Sequence, residues 1–272
     1  MRADLLLVER GLAPSRTAAQ RLIAAGHVFT LVGRKLTRVP LTKPGVTLDD
    51  DVALEVEASE LEKFVSRGGL KLDGAITKVG LDVAGLHCLD VGQSTGGFTD
   101  CLLQRGAASV VGVDVGHSQL HPRLRDDPRV TCIEGVNARS MMPSDVVVGA
   151  AEAAKPADES GNAIRDFRRA HSDFDLIVAD VSFISLTKVL PQWPAFLREG
   201  GRVLSLVKPQ FEVGADKVGR GGIVRDASLF ASVEHTIRAA CADAKLNVLD
   251  YFASSITGSD GNHEFFVYAE RT

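Results

Sequence analysis

The sequence has no apolar run approaching the roughly 18 residues that a membrane span requires. The Leu5–Val8 run near the start stops after four residues at Glu9 and Arg10. That is too short for the apolar core of a secretory signal, so a cytoplasmic protein is expected. Cysteine is scarce. Cys88, Cys101, Cys132 and Cys241 lie far apart, with no C-x-x-C pair and no His at metal-ligand spacing. Reduced thiols, no disulfide framework and no bound metal are therefore expected. A basic amphipathic helix with aromatic anchors is also missing, which argues against a lytic, membrane-surface protein. Nor is there an overall positive charge: 31 Lys/Arg stand against 35 Asp/Glu, a net −4.

That net charge hides an asymmetry. Residues 1–45 hold eight Lys/Arg against only Asp4 and Glu9, a local +6, so the other 227 residues carry −10. A basic arm on an acidic body suits a nucleic-acid partner. Within the arm, residues 4–10 read as a short helix closed by Gly11. Ser15 can cap a second helix with Leu22 and Ile23 on its buried side, ended by Gly26. A strand over 27–30 and a pair of short strands within 46–56 complete it. Arg16 and Gln20 share one stripe of the second helix at i,i+4 spacing, with Arg21 beside them; a solvated polar face is the alternative reading.

From His87 onward strands and helices alternate, with strand-like runs at 87–91, 109–115, 130–134, 174–181, 202–208, 246–253 and 263–269. This spacing predicts an α/β domain with a mostly parallel, Rossmann-like sheet covered on both faces. The loop at 257–262 leaves no room for a crossover helix, so the last strand should run antiparallel. Residues 144–172 show no clean period and read as a surface insertion. The expected organisation is a small α+β RNA-binding domain at 1–58, a linker at 59–68 and a catalytic domain at 69–272.

The first strand of that domain enters the turn Gly92-Gln93-Ser94-Thr95-Gly96-Gly97, and a helix starts near Phe98. Glycines at a strand-to-helix turn let a ligand approach the backbone. Asp114, at the end of the next strand, is placed to accept ribose hydroxyls from a nucleoside. A dinucleotide enzyme should show G-x-G-x-x-G. The spacing here is G-x-x-x-G-G with Asp90 two residues ahead, which suits the cationic S-adenosylmethionine better than NAD. Asp90 is expected near that cation, Asn137 near the adenine edge, and Phe183 against the cofactor. Asp180 and Lys208 fall at the carboxyl ends of two neighbouring strands, where open α/β sheets bind ligands.

Leu5 to Arg16, Leu22-Ile23 with Gly26-His27-Val28, and Lys43-Pro44 closely resemble the small RNA-binding module of ribosomal protein S-four. Ser66-Arg67-Gly68-Gly69, Asp90-Val91-Gly92, Ser94 to Phe98, Asp180-Val181-Ser182-Phe183, Lys208-Pro209-Gln210-Phe211-Glu212 and Gly261-Asn262-His263-Glu264 resemble the TlyA family, whose members look like FtsJ-type ribose 2′-O-methyltransferases fused to such a module. Gln93 stands where a smaller residue is usual. The resemblance implies a seven-stranded methyltransferase sheet, S-adenosylmethionine as cofactor, and a cytidine ribose in ribosomal RNA as target. It also implies a catalytic tetrad of Lys71, Asp180, Lys208 and Glu264. Lys208 would be the base or else a positioner of the ribose hydroxyl. Cofactor contacts are expected from Asp90, Gly92, Ser94, Thr95, Gly96, Gly97, Phe98, Asp114, Asn137, Asp180 and Phe183. RNA contacts are expected from Arg16, Gln20, Arg21, Arg34, Lys35, Lys43 and Arg67. The rivals are a membrane-lytic haemolysin, a non-catalytic ribosome-assembly factor, and a methyltransferase with another substrate.

Overall fold

A computed structural model describes residues 1–13, 15–33, 36–56, 63–146, 173–258 and 260–272. Most of the expected insertion at 144–172 thus lies outside the described residues, as do Arg34 and Lys35. The chain divides into two compact units, Met1–Lys63 and Phe64–Thr272.

In the first unit α1 (Ala3–Glu9) packs on α2 (Arg16–Ala24), followed by β1 (Val28–Val32), β2 (Thr37–Pro40) and β3 (Ala53–Val56). The Ser15 hydroxyl caps α2 by accepting from the Ala18 amide at 3.2 Å, which satisfies one of the helix's free donors. Leu7, Leu22, Ile23 and Val28 bury themselves in a common core. The three strands form an antiparallel sheet in the order β2-β1-β3. Two expectations change here. Of the pair of strands within 46–56 only β3 forms, and the earlier stretch contributes a single bridge between Arg2 and Thr47. The unforeseen β2 is exposed along its whole length, so it has no inward face to leave an alternating pattern in the sequence.

The second unit opens with α3 (Arg67–Val79), closed by Gly80 in the left-handed conformation. Then come β4 (His87–Val91), α4 (Gly97–Gln104), β5 (Ser109–Asp114), α5 (Pro122–Arg125), β6 (Val130–Glu134), β7 (Phe174–Ala179), β8 (Leu197–Val207), α6 (Pro209–Glu212), α7 (Ser228–Asp243), β9 (Leu246–Ala253) and β10 (Phe265–Arg271). The seven strands order as β6-β5-β4-β7-β8-β10-β9, and β10 alone runs antiparallel to its neighbours. Alternate residues of each strand serve opposite faces. Leu89, Val111 and Ile177 join Trp193, Phe196 and Ile237 on one side. Cys88, Val110 and Leu176 join Leu72, Ile76 and Leu102 on the other. No helix among the described residues is long and apolar enough to cross a membrane.

β8 starts five residues earlier than its apolar run suggests. Leu197 pairs with Phe174, the Gly200-Gly201 segment bulges, and pairing resumes at Arg202 opposite Leu176. Such a bulge breaks the period that marks a strand. β10 in turn begins at Phe265, opposite Val207. This antiparallel register sets Glu264 across from Lys208.

Candidate active site

The chain runs outward from β4 through β5 to β6, then returns to β7 on the other side of β4. The carboxyl ends of β4, β5, β7 and β8 meet around this reversal, where ligands bind in open sheets. Two adjoining cavities lie there. The larger, about 510 Å³, is lined by Gly92, Ser94, Asp114, Asn137, Asp180 and Phe183, together with Val115, Gly116, Gln119 and Ile184. The smaller, about 170 Å³, is lined by Ser66, Gly68, Gly92, Ser94, Thr95, Gly97, Phe98, Asp180, Ser182 and Lys208.

The turn after β4 is shaped for close approach. Gly92 has φ +83°, and a Cβ there would stand 2.7 Å from the Asp180 carbonyl oxygen. Ser94 is itself left-handed, at φ +47°. Its amide and that of Gly116 donate to the Asp114 carboxylate at 2.8 and 2.7 Å. The carboxylate is thereby aimed at the larger cavity. Two carboxylates facing one cavity, with a backbone that a ligand can approach, fit a nucleoside bearing a positive charge. S-adenosylmethionine is such a group. Gly96 does not face the cavity. A Cβ there would strike Leu124 and Leu120, so it lets α5 pack on the turn.

Asp90 is corrected in position. It is fully buried, lines neither cavity, and accepts from the Thr99 hydroxyl at 2.7 Å. Burial pushes its carboxyl up to about 7, against the opposing hydrogen bond from Thr99. Gln93, the large residue beside it, donates from Nε2 to Thr99 Oγ1 at 2.9 Å. It fills the space over Gly112, where a Cβ would lie 2.0 Å from the Gln93 side chain. Phe183 stands outside the core. It is 93% exposed at the cavity rim, left-handed at φ +62°, and tilted against Phe211 with ring centroids 5.3 Å apart.

The four tetrad candidates form two ion pairs. Lys71 Nζ lies 2.6 Å from Glu264 Oε2, and both side chains are nearly buried. Lys208 Nζ lies 2.5 Å from Asp180 Oδ1 and donates to Ser182 Oγ at 2.8 Å. Burial raises the Glu264 carboxyl above its ordinary value although Lys71 opposes it, and the charges of Asp180 and Lys208 are also felt there. The register that sets Glu264 across from Lys208 brings the two pairs onto neighbouring strands at the same end of the sheet. Ser182, Gln119 and Ser66 also line the cavities without having been expected as contacts. Ser182 had a signal in its place just past the strand-end Asp180, and Ser66 in opening the Ser66-Arg67-Gly68-Gly69 motif.

In the first unit, Asp4 organises the basic side chains. It is fully buried, and it accepts from Arg2 (3.0 Å through both oxygens), Arg16 (2.9 Å) and Gln20 (2.8 Å). Arg2 and Gln20 above all hold its carboxyl well below the usual range, against the effect of burial. Gln20 and Arg16 are thus tied to Asp4, while half of the Arg16 side chain stays exposed. Arg21 donates to the Thr17 carbonyl, and Lys43 is exposed. Arg67, in the second unit, donates to the Thr257 carbonyl at 3.0 Å. The signal for Asp4 was an acid on the apolar stripe of α1, next to Ala3 and three residues before Leu7.

Among the described residues no group of three or more His, Cys, Asp or Glu side chains could hold a metal ion. No disulfide joins the four cysteines.

Residues 64–271 match the family described as FtsJ-like methyltransferase, and residues 1–29 match the S4 domain. The 16S/23S rRNA (cytidine-2'-O)-methyltransferase TlyA of Mycobacterium tuberculosis is 40% identical over 267 residues, which span 98% of this chain and 88% of the relative. Hemolysin A of Brachyspira hyodysenteriae is 35% identical over 271 residues, 98% of this chain and 99% of the relative. A solved Streptococcus thermophilus structure that carries a hemolysin label aligns with TM-score 0.70 and 37% identity, covering 100% of this chain and 88% of that one.

Proposed function

The chain belongs to the FtsJ-like methyltransferase family, and from that premise we propose that it 2′-O-methylates a cytidine ribose in ribosomal RNA. The observation that carries the reading is the pair of ion pairs, Lys71–Glu264 and Lys208–Asp180, beside a cavity walled by Asp114 and Asp180. S-adenosylmethionine, when bound, supplies a methyl group already activated by the sulfonium. What remains for the protein is to place a weakly nucleophilic hydroxyl in line and to take its proton.

Asp114 would hold the cofactor ribose, Asn137 the adenine edge, and Gly92, Ser94, Thr95, Gly97 and Phe98 the wall around the methionine end. Asp180 spans both cavities, so it would face the sulfonium side and anchor Lys208 together. Lys71 and Glu264 would orient the target ribose. Lys208 would accept the hydroxyl proton, with Ser182 fixing the direction of its nitrogen. The exposed Phe183 stands at the rim, where an incoming ligand can stack on it.

Residues 1–58 would be the RNA-binding module, 59–68 the linker and 69–272 the catalytic domain, all working in the cytoplasm. Lys43, Arg21 and the exposed half of Arg16 are suited to phosphates, with Arg2 added to the set by its bond to Asp4. Ribosomal RNA or whole ribosomal subunits lacking the modification should take up labelled methyl from S-adenosylmethionine in the presence of this protein. Mapping should place that methyl on a cytidine 2′-oxygen. Methyl transfer to a base, or none to either RNA form, would overturn the reading.

A further inference from the structure

Beyond the tetrad, the catalytic unit carries a segment that none of the roles above uses. After α6 the chain passes through Gly214 to Asp226 before entering α7. Lys217, Arg220 and Arg225 lie on this stretch, all exposed, and none is ion-paired among the described residues. Of its two acids, Asp226 is itself exposed and accepts from both the amide and the hydroxyl of Ser228. Asp216 and Asp226 stand against the three cations, so the stretch keeps a net positive charge.

The segment is held in place. Asn262, only 1% exposed, accepts from the Val224 amide at 2.9 Å and donates to the Gly222 carbonyl at 2.9 Å and to Asp260 at 2.7 Å. A buried amide using its donors and its acceptor in this way is a costly arrangement to disturb. Within the segment Gly222 donates to the Gly219 carbonyl, and Gly219 to that of Ile223. Gly221 and Gly222 have φ +81° and +78°, and a Cβ on either would meet nothing within 4 Å. Their glycines therefore serve the backbone turn and leave its outer side bare, which lets a ligand come close to the main chain.

The clasp also ties this turn to the catalytic pairs. Asn262 is two residues before Glu264. Asp260, its partner, accepts weakly from Gln210, two residues after Lys208. Burial pushes the Asp260 carboxyl up, but the bonds from Asn262 and the charge of Lys71 outweigh it and leave it below its ordinary value. A bare turn with three cations, fixed beside the reacting groups, fits a polyanionic backbone.

We propose that residues 214–225, clasped by Asn262, grip RNA phosphates flanking the nucleotide under modification, with Lys217, Arg220 and Arg225 as the contacts and Asn262 as a positioning residue. This rests on the RNA-methyltransferase reading above. It adds a phosphate contact within the catalytic unit to those expected of the basic residues 1–45.

The test compares the wild type, a combined Lys217→Gln/Arg220→Gln/Arg225→Gln variant, and Asn262→Ala, all as full chains. Each is titrated with unmodified ribosomal subunits and with transcribed 16S and 23S RNA over a range of salt. Each neutralised phosphate contributes roughly 0.7–0.9 to the log–log salt slope, so the triple variant should lose about 2–3 of it. Its S-adenosylmethionine affinity and its single-turnover rate at saturating RNA should stay near wild type. Asn262→Ala should lose part of the same slope, and adding it to the triple variant should change little more. An unchanged slope in the triple variant overturns the proposal. The triple variant alters only exposed side chains, so it decides the matter even where Asn262→Ala fails to fold. Wild-type methyl transfer with unaltered slopes in the variants sinks the grip alone. A wild-type chain that neither binds nor methylates these RNAs sinks the underlying reading together with it.

Discussion

Lys208 has a carboxylate at 2.5 Å on one side and a hydroxyl at 2.8 Å on the other, and its role can be probed by keeping the charge while removing the ability to deprotonate. Lys208→Arg should fold, bind S-adenosylmethionine and bind RNA, yet lose about 10²-fold or more in single-turnover rate, the scale of general-base catalysis. A near-normal rate would make Lys208 a positioner. Asp90 allows a second test, of stability. Its carboxyl is raised from 3.8 to about 7 by burial, so the folded state keeps a proton that the unfolded state gives up. The penalty is absent below about pH 4, grows as pH rises toward 7, and is complete above it; three units correspond to roughly 4 kcal/mol at most. Asp90→Asn, which can still accept from Thr99, should therefore be more stable than wild type by a margin that is larger at pH 8 than at pH 5. Urea unfolding at the two pH values measures it, and an equal margin at both would show that Asp90 does not titrate in this window. The types and strand-end positions of Asp114, Asp180 and Lys208 were legible because carboxyl ends of parallel strands are recognisable in sequence. The burial of Asp90 behind its turn was not, because two residues of separation from Gly92 does not say which face of β4 a side chain takes.

Helices α3 and α4 come closest at their glycines. A Cβ on Gly97 would lie 2.1 Å from Ser66 Oγ and 2.9 Å from the Gly69 amide nitrogen, whereas one on Gly68 would come no closer than 3.4 Å to its neighbours. Gly97→Ala should therefore cost about 1–3 kcal/mol of stability, the usual range for overpacking, and should weaken cofactor binding by pushing α3 off the turn. Gly68→Ala should be tolerated. Thermal unfolding of the two variants side by side checks this, and equal midpoints would mean the helices do not pack as closely as described. At the scale of elements the parallel strands were the most legible, since burial on both faces leaves near-continuous apolar runs such as Leu176–Ala179. The exposed edge strand β2 and the bulged start of β8 left no such trace. Their existence depends on pairing partners, Phe29–Val32 for the one and Phe174 for the other.

The chain is built of two compact units, each with its own core, and the basic stretch 1–45 belongs to the first. A chain reduced to residues 64–272 should keep S-adenosylmethionine affinity within a few-fold of wild type. Its affinity for ribosomal RNA should fall, and the remaining salt slope should be shallower by roughly 0.7–0.9 for each phosphate that the first unit neutralises. Calorimetry with cofactor and salt-dependent RNA titration measure the two; undiminished RNA binding would remove the N-terminal unit from substrate recognition. The sequence by itself determined the alternation of strands and helices, the antiparallel last strand, the glycine turn, and the basic beginning of the chain. These follow from local composition and from periods of 2 and 3.6 residues, which any stretch carries within itself. Only the tertiary structure decided that Asp4 gathers Arg2, Arg16 and Gln20, that Lys71 pairs with Glu264 and Lys208 with Asp180, and that Asn262 clasps the turn at 222–224. Each of these joins residues from different elements, and a charge or an amide acquires its partner only when packing and strand register bring distant segments within hydrogen-bond reach.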